Sequence, residues 1–286
     1  MPLVFACIAP HGFPIIPELS ADAEGALETR AAMEELGRRC ASTKPEALVL
    51  AGPHGIRVEG TVCLVDVARA AGVLHWNGAT VEMNVPIAMD LTAEIADAAR
   101  DAGIPIALAA YAGNRRDQSA VPLDWGAMTP LWFLGHGRNL TGLGNVLATP
   151  PAEDIGPPVV LVTPSRALPR ETMVEFGRAV ARVAVGTSQR VGFVASCDWA
   201  HTHREDGPYG FHAAATEVDR QVVAAIEAED LDSLVSLDDG LVRDGAIDGL
   251  WQVLMLAGLL GEAPMRGELL SYEAPSYYGM IVAAYS

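Results

Sequence analysis

Two near-identical tetrapeptides place histidines in the same local setting: Ala9-Pro10-His11-Gly12 and Gly52-Pro53-His54-Gly55. Each follows a short apolar run, Leu3–Ala9 and Ala47–Ala51, that reads as a buried strand. Each histidine therefore sits on a stiff Pro/Gly loop just past a strand end. Open α/β sheets bind ligands outside the carboxyl ends of their strands. Two imidazoles held there look like two metal ligands. A third strand-like run, Val191–Ser196, leads into Cys197-Asp198-Trp199-Ala200-His201-Thr202-His203 and brings His201 to the same kind of position. One loop histidine is usually a turn cap, whereas three in one topological position point to a site.

The elements that must position these residues alternate. Further strand-like runs are expected at Thr61–Val65, Ile104–Leu108, Val159–Val162 and Met280–Tyr285, several of them apolar throughout, as in strands covered on both faces. Helical spacing is expected over Ser20–Arg39, Pro86–Ala102, Arg170–Val185, Phe211–Ala228 and Ala246–Leu260. Ser20 reads as a cap of the first helix, with Asp22 and Glu24 in its first turn, and Pro86 as a first-turn residue of the second. The alternation predicts an α/β fold with a central mixed, largely parallel sheet flanked by helices. Leu147–Pro158 is the only linker-like stretch, and the candidate residues fall on both sides of it. We therefore expect one catalytic domain over residues 1–286.

Composition narrows the function. The 286 residues are 50% hydrophobic and carry 36 acidic against 19 basic side chains, a net charge of −17. Nucleic acid and anionic membranes both select for basic surfaces, so neither is expected as a partner. No apolar run reaches the roughly 18 residues of a membrane span. Cys7, Cys40, Cys63 and Cys197 show no CxxC spacing, and no signal-peptide pattern opens the chain, so a reducing cytoplasm is expected. GxGxxG, GxxxxGK[ST] and GxSxG motifs are absent, which argues against a nucleotide fold or a nucleophile-elbow hydrolase.

His11, His54 and the segment Ser196-Cys-Asp-Trp-Ala-His201 resemble the class III extradiol ring-cleavage dioxygenases, the LigB-like superfamily. This family includes the β subunit of protocatechuate 4,5-dioxygenase, and the Memo proteins share its fold. The segment Leu270–Met280 is similar to its last strand region, so the resemblance runs nearly from end to end. It implies a LigB-like, phosphorylase-like architecture and a mononuclear Fe(II) held by His11 and His54. It further implies that His201 is the acid/base histidine beside the substrate. The third ligand of the dioxygenases is a glutamate before a late helix, and a cysteine in Memo proteins. The matching stretch here, Ala246-Ile-Asp248-Gly, makes Asp248 the candidate, with Glu273 a competing carboxylate and Asp244 a weaker one. Family members usually carry Asp-His before Val-Pro-Leu. This chain has Asp117-Gln118, and Gln118 hydrogen-bonds but does not shuttle protons near neutral pH.

Two histidines and one carboxylate form a facial triad with open positions. A diol can chelate there beside O2, losing protons that the metal's charge favours removing. Imidazole, with an ordinary pKa of about 6.5, suits the proton transfer. Asp198 either orients a ring nitrogen or caps a turn, His203 either faces the site or solvent, and His212 starts a helix. Trp125, Trp199, Tyr277 and Tyr278 could line an aromatic pocket, while Trp251 fits the core. Arg115 and Arg116 either attract a substrate carboxylate or form a solvated pair. The expected partners are a small aromatic substrate and O2, with a homo-oligomer or a small partner subunit also open. Two rival functions use the same ligands: a Memo-like interaction protein and a Zn(II) hydrolase.

Overall fold

A computed structural model describes residues 2–20, 25–111, 115–137 and 156–286. Eleven strands occur among them: β1 Leu3–Ala9, β2 Ala47–Ala51, β3 Val62–Val65, β4 Arg69–Trp76, β5 Ala79–Pro86, β6 Ile106–Ala109, β7 Ala120–Pro122, β8 Val159–Thr163, β9 Val191–Ser196, β10 Gly267–Glu273 and β11 Met280–Tyr285. The helices are α1 Leu27–Thr43, α2 Met89–Asp101, α3 Trp125–Leu131, α4 Arg170–Gly186, α5 Ala214–Glu227, α6 Asp239–Asp244 and α7 Leu250–Glu262.

Eight strands form one sheet in the order β10-β11-β1-β9-β2-β8-β3-β6. β1, β9, β2 and β8 are mutually parallel, whereas β11 runs antiparallel to β1 and β3 antiparallel to β8. The expected mixed, largely parallel sheet is therefore present. Its central strands are buried on both faces because side chains alternate across the pleat. Ala6 and Ile8 of β1 join a core with helices α2, α4, α5 and α7, while Phe5, Cys7 and Ala9 join a second core with α1, α3 and a small sheet β5-β4-β7.

The helices follow their patterning. α1 buries Ala32, Met33, Leu36 and Cys40 in one stripe. α7 is buried from Leu250 to Leu259, as an all-round apolar sequence requires. Four helix starts lie later than the sequence reading: α5 begins at Ala214 instead of Phe211, α7 at Leu250 instead of Ala246, and for α1 and α2 the local cause is visible. α1 begins at Leu27, and Ser20 is extended chain that accepts a hydrogen bond from Arg30 (2.9 Å), while Asp22 and Glu24 lie outside the described residues. Pro86 closes β5 instead of opening α2, because the chain from Arg69 to Pro86 is a hairpin. Its turn is Asn77-Gly78, both with positive φ (50° and 77°), a two-residue signal for a hairpin. Of the linker-like stretch, residues 147–155 lie outside the described residues.

α4 and α7 cross at two glycines. A Cβ on Gly177 would stand 1.8 Å from Met255 O, and one on Gly258 would stand 1.8 Å from Val174 O. Backbone, unlike a flexible side chain, cannot retreat from such contacts. Gly177→Ala and Gly258→Ala are each expected to destabilise the fold by about 1–3 kcal/mol through overpacking, measured as a lower urea midpoint with an unchanged slope.

Candidate metal centre

β1, β9 and β2 are adjacent, so their carboxyl ends deliver residues to one spot. His11 follows β1, His54 follows β2, and Asp198 and His201 follow β9 between them. Asp248 arrives from the loop between α6 and α7. His11 Nε2 lies 3.3 Å from His54 Nε2 and 3.5 Å from Asp248 Oδ2, and His54 Nε2 lies 4.0 Å from that oxygen. Ligands about 2.1 Å from one ion at tetrahedral or octahedral angles lie about 3.0–3.4 Å apart. The three donors are close to that spacing and offer the borderline-to-hard chemistry of a 2-His-1-carboxylate site. The residues therefore fit a divalent metal ion.

The orientation of each ligand has a local cause. His11 Nδ1 faces Ser196 Oγ at 3.2 Å, and Ser196 in turn donates to Gly126 O. That chain commits Nδ1 as the donor and turns Nε2 to the centre. His11 N–H donates to Asp198 Oδ1 (3.0 Å), and Asp198 N–H donates to Asp248 Oδ1 (3.1 Å), leaving Asp248 Oδ2 toward the histidines. Asp198 thus braces His11, with its Oδ2 3.5 Å from His11 Nε2. Gly12 is required beside His11 because the Tyr278 ring occupies the space a Cβ would take, with the hydroxyl 2.1 Å from that position.

These groups perturb one another. Desolvation opposes charge on His11, but the carboxylates of Asp198 and Asp248 outweigh it and raise the imidazole to about 9. Burial, reinforced by His11, lowers His54 to about 4. Burial alone would raise Asp248, yet the surrounding imidazoles, His11 first, hold it below the usual carboxylate range. Asp198 is raised, chiefly by desolvation.

The centre opens into a cavity of about 680 Å³. Trp125 packs on His54 with ring centroids 4.3 Å apart, and Tyr278 stacks on His201 at 5.8 Å. Tyr277 and Tyr209 approach the other sides of His201, and Phe13 with Trp76 closes a further wall. His201 Nδ1 donates to Ala246 O (2.9 Å), so Nε2 faces inward, 3.9 Å from Asp248 Oδ2.

Several expected residues lie elsewhere. Gln118 is exposed on a short 3-10 turn, Arg116–Gln118, that lies outside the cavity and leads directly into β7 at the edge of the small sheet. Glu273 on β10 accepts from Thr29 N–H (2.7 Å), tying the sheet edge to α1. Asp244 pairs with Arg243 at the surface. Among the carboxylates weighed from sequence, the fold brings Asp248 to the histidines. Trp199 and Trp251 are buried in the core. Arg115 pairs with Asp117 and Arg116 with Asp66, both as surface ion pairs. His212 accepts from Ala214 N–H at the start of α5.

His203 turns from the cavity to Asp219 of α5 (2.8 Å). Asp219 is fully buried and also accepts from Ala200 N–H (3.0 Å) and Tyr272 O–H (3.0 Å). It thereby grips the chain on both sides of His201. Arg166 was missed from sequence. It lines the cavity just past β8, the fourth parallel strand, so the strand-end reasoning applied to the histidines reaches it too.

Residues 6–283 match the family described as the catalytic LigB subunit of aromatic ring-opening dioxygenase. The chain belongs to the LigB family. It is 25% identical over 268 residues to Protein CA_C1420 of Clostridium acetobutylicum, covering 93% of this chain but 54% of that relative. The chain thus spans about half the length of the curated relative it matches. The crystal structure of uncharacterized protein JW3007 from Escherichia coli K12 superposes with a TM-score of 0.63 at 16% identity, covering 99% of this chain and all of that one, which shows a shared fold.

Two outcomes follow. His11 must lose its proton to ligate, and its raised value keeps it protonated below about pH 9. Divalent-metal binding at pH 7.5 should therefore release about one proton, fading as pH rises past 9, seen as buffer-dependent heats in titration calorimetry. Asp219→Asn puts an amide donor among three donors and should cost about 1–3 kcal/mol in urea denaturation.

Proposed function

We propose that this chain is a non-haem Fe(II) extradiol dioxygenase that opens the ring of a catechol- or aminophenol-type aromatic with O2, as one catalytic unit over residues 1–286. The observation that carries this is the convergence of His11, His54 and Asp248 at the base of an aromatic-walled cavity, with the free nitrogen of His201 beside them. LigB family membership supports the reaction class. Bound Fe(II) supplies a Lewis acid for the diol oxygens and the redox chemistry that O2 requires.

The remaining work falls to this chain. Trp125, Tyr277 and Tyr278 hold a planar ring and exclude water around it. His201 keeps Nδ1 on the Ala246 carbonyl, so Nε2 is free to accept a hydroxyl proton from the ring and return it later. Ser196 and Asp198 keep His11 aimed while this occurs. Gln118 has no part in the proton path, since it lies outside the cavity. No helix among the described residues is long and apolar enough to cross a membrane, and Cys7, Cys40, Cys63 and Cys197 are free and buried. Both support a cytoplasmic setting.

Anaerobic loading with Fe(II), followed by a panel of catechols and aminophenols in air, should give yellow ring-fission products with matching O2 uptake. Metal bound without turnover across the panel would remove the dioxygenase reading in favour of a Memo-like binding role. Turnover of a hydrolysable substrate with zinc and no O2 would favour a hydrolase. His11→Ala, His54→Ala and Asp248→Ala should each lose the metal by elemental analysis. His201→Ala should keep it and lose about 10²–10⁴-fold in kcat.

A further inference from the structure

The loop after β9 and the turn between α6 and α7 meet at the centre, and four hydrogen bonds join them. Asp198 N–H donates to Asp248 Oδ1 (3.1 Å), His201 N–H to Gly245 O (2.8 Å), His201 Nδ1 to Ala246 O (2.9 Å) and Thr202 Oγ1 to Asp244 O (3.1 Å). Three consecutive carbonyls thus accept from two consecutive residues. They belong to a helix end, where backbone acceptors lack intrahelical partners. A carbonyl only accepts, so Ala246 O requires the proton of the neutral His201 ring on Nδ1. One short turn therefore carries both the carboxylate ligand and the acceptor that fixes the His201 tautomer.

Ala246 adopts φ 50°, in the left-handed region. A Cβ makes that region costly, so glycine is its usual occupant. The turn itself ends α6: Gly245 N–H donates to Leu241 O (2.8 Å), Ala246 N–H to Arg243 O (3.1 Å) and Ile247 N–H to Val242 O (3.4 Å). Ending the helix explains a left-handed residue there, but not a methyl group on it. Ala246 is half-buried at the cavity edge, so the methyl fills no core. Its effect is on the backbone. At positive φ glycine also reaches the mirror-β region, in which the next peptide plane is turned over, and a Cβ forbids that region. Turning the plane would take Ala246 O away from His201 and redirect the chain two residues before Asp248. The methyl group leaves that carbonyl a single direction.

We infer that Ala246 is a positioning residue: a strained alanine whose methyl group locks one peptide, so that the His201 tautomer and the reach of Asp248 are set together before metal or substrate arrives. The use of His201 as acid and base rests on the ring-cleavage reading, whereas the lock rests on the turn alone.

Imidazole 15N NMR reads the tautomer of His201, assigned by the signal that His201→Gln removes. It is recorded at about pH 8.5, above the imidazole range, on the metal-free protein and on protein loaded with Zn(II), which is diamagnetic. The native chain should favour the Nδ1-protonated ring by about tenfold or more in both states, the scale of one hydrogen bond to a fixed acceptor. Ala246→Gly should raise the urea midpoint, because the strain is gone, yet shift the ratio toward the Nε2-protonated form that free imidazole favours. A purely structural role for the turn would give the first change without the second. Ala246→Val, which the left-handed region excludes, should lose the ratio and weaken Zn(II) binding about 10–100-fold, as disturbing the support of a ligand does. A native His201 protonated at Nε2, or an Ala246→Gly variant that keeps the native ratio, would overturn the inference whether or not Ala246→Val folds. So would a folded Ala246→Val variant with native ratio and affinity. A native ratio that Ala246→Gly erodes, in a protein that opens no diol, would uphold the lock while the ring-cleavage reading fell.

Discussion

Two buried carboxylates set the terms for everything around them. Asp198 and Asp248 are 4% and 7% exposed, and each accepts a backbone N–H from the segment that carries the next group. Removing such charges from water costs several kcal/mol each unless hydrogen bonds and opposite charge compensate. Backbone donors satisfy one oxygen of each. The other oxygens face His11, and the compensation there is a proton or a divalent cation. The same burial that makes the site expensive makes it selective for positive charge.

The sheet order converts this local requirement into geometry. β9 lies between β1 and β2, so a residue after β9 touches residues after both neighbours. Asp198 exploits that position to orient His11, and Asp219 holds the following turn from below through Ala200 and His203. The turn that presents His201 is thus fixed at both ends before any ligand arrives. The aromatic walls come from elsewhere: Trp76 from the hairpin, Trp125 from the start of α3, Tyr277 and Tyr278 from the loop before β11.

Strands β1, β2, β3, β6, β8, β9 and β11 and the three strand-end histidines were legible because apolar runs and Pro/Gly punctuation are local signals, whereas β4, β5, β7 and β10, more exposed and less uniformly apolar, were not read. Asp248 was reachable only through family resemblance, since nothing in its spacing says that the loop before α7 folds back over Cys197. Gln118 and Glu273 failed for the converse reason: a motif position carries no information about where a loop turns. Ser20 misled as a helix cap because its hydroxyl serves Arg30 instead. The β4–β5 hairpin carried a readable signal in Asn77-Gly78, and Arg166 lay at a strand end like those already recognised. Both were within reach of the same physical rules.

The hydrogen bond from His11 to Asp198 spans 187 positions of chain, and that from Asp198 to Asp248 spans a further 50. Contacts of such separation close large loops and form late in folding. During synthesis, His11 and His54 emerge long before the aspartate that completes the set. Two exposed imidazoles on a growing chain would hold a divalent metal weakly and exchange it freely. A site of this composition would therefore be complete for a divalent ion only once the carboxyl-terminal third has docked.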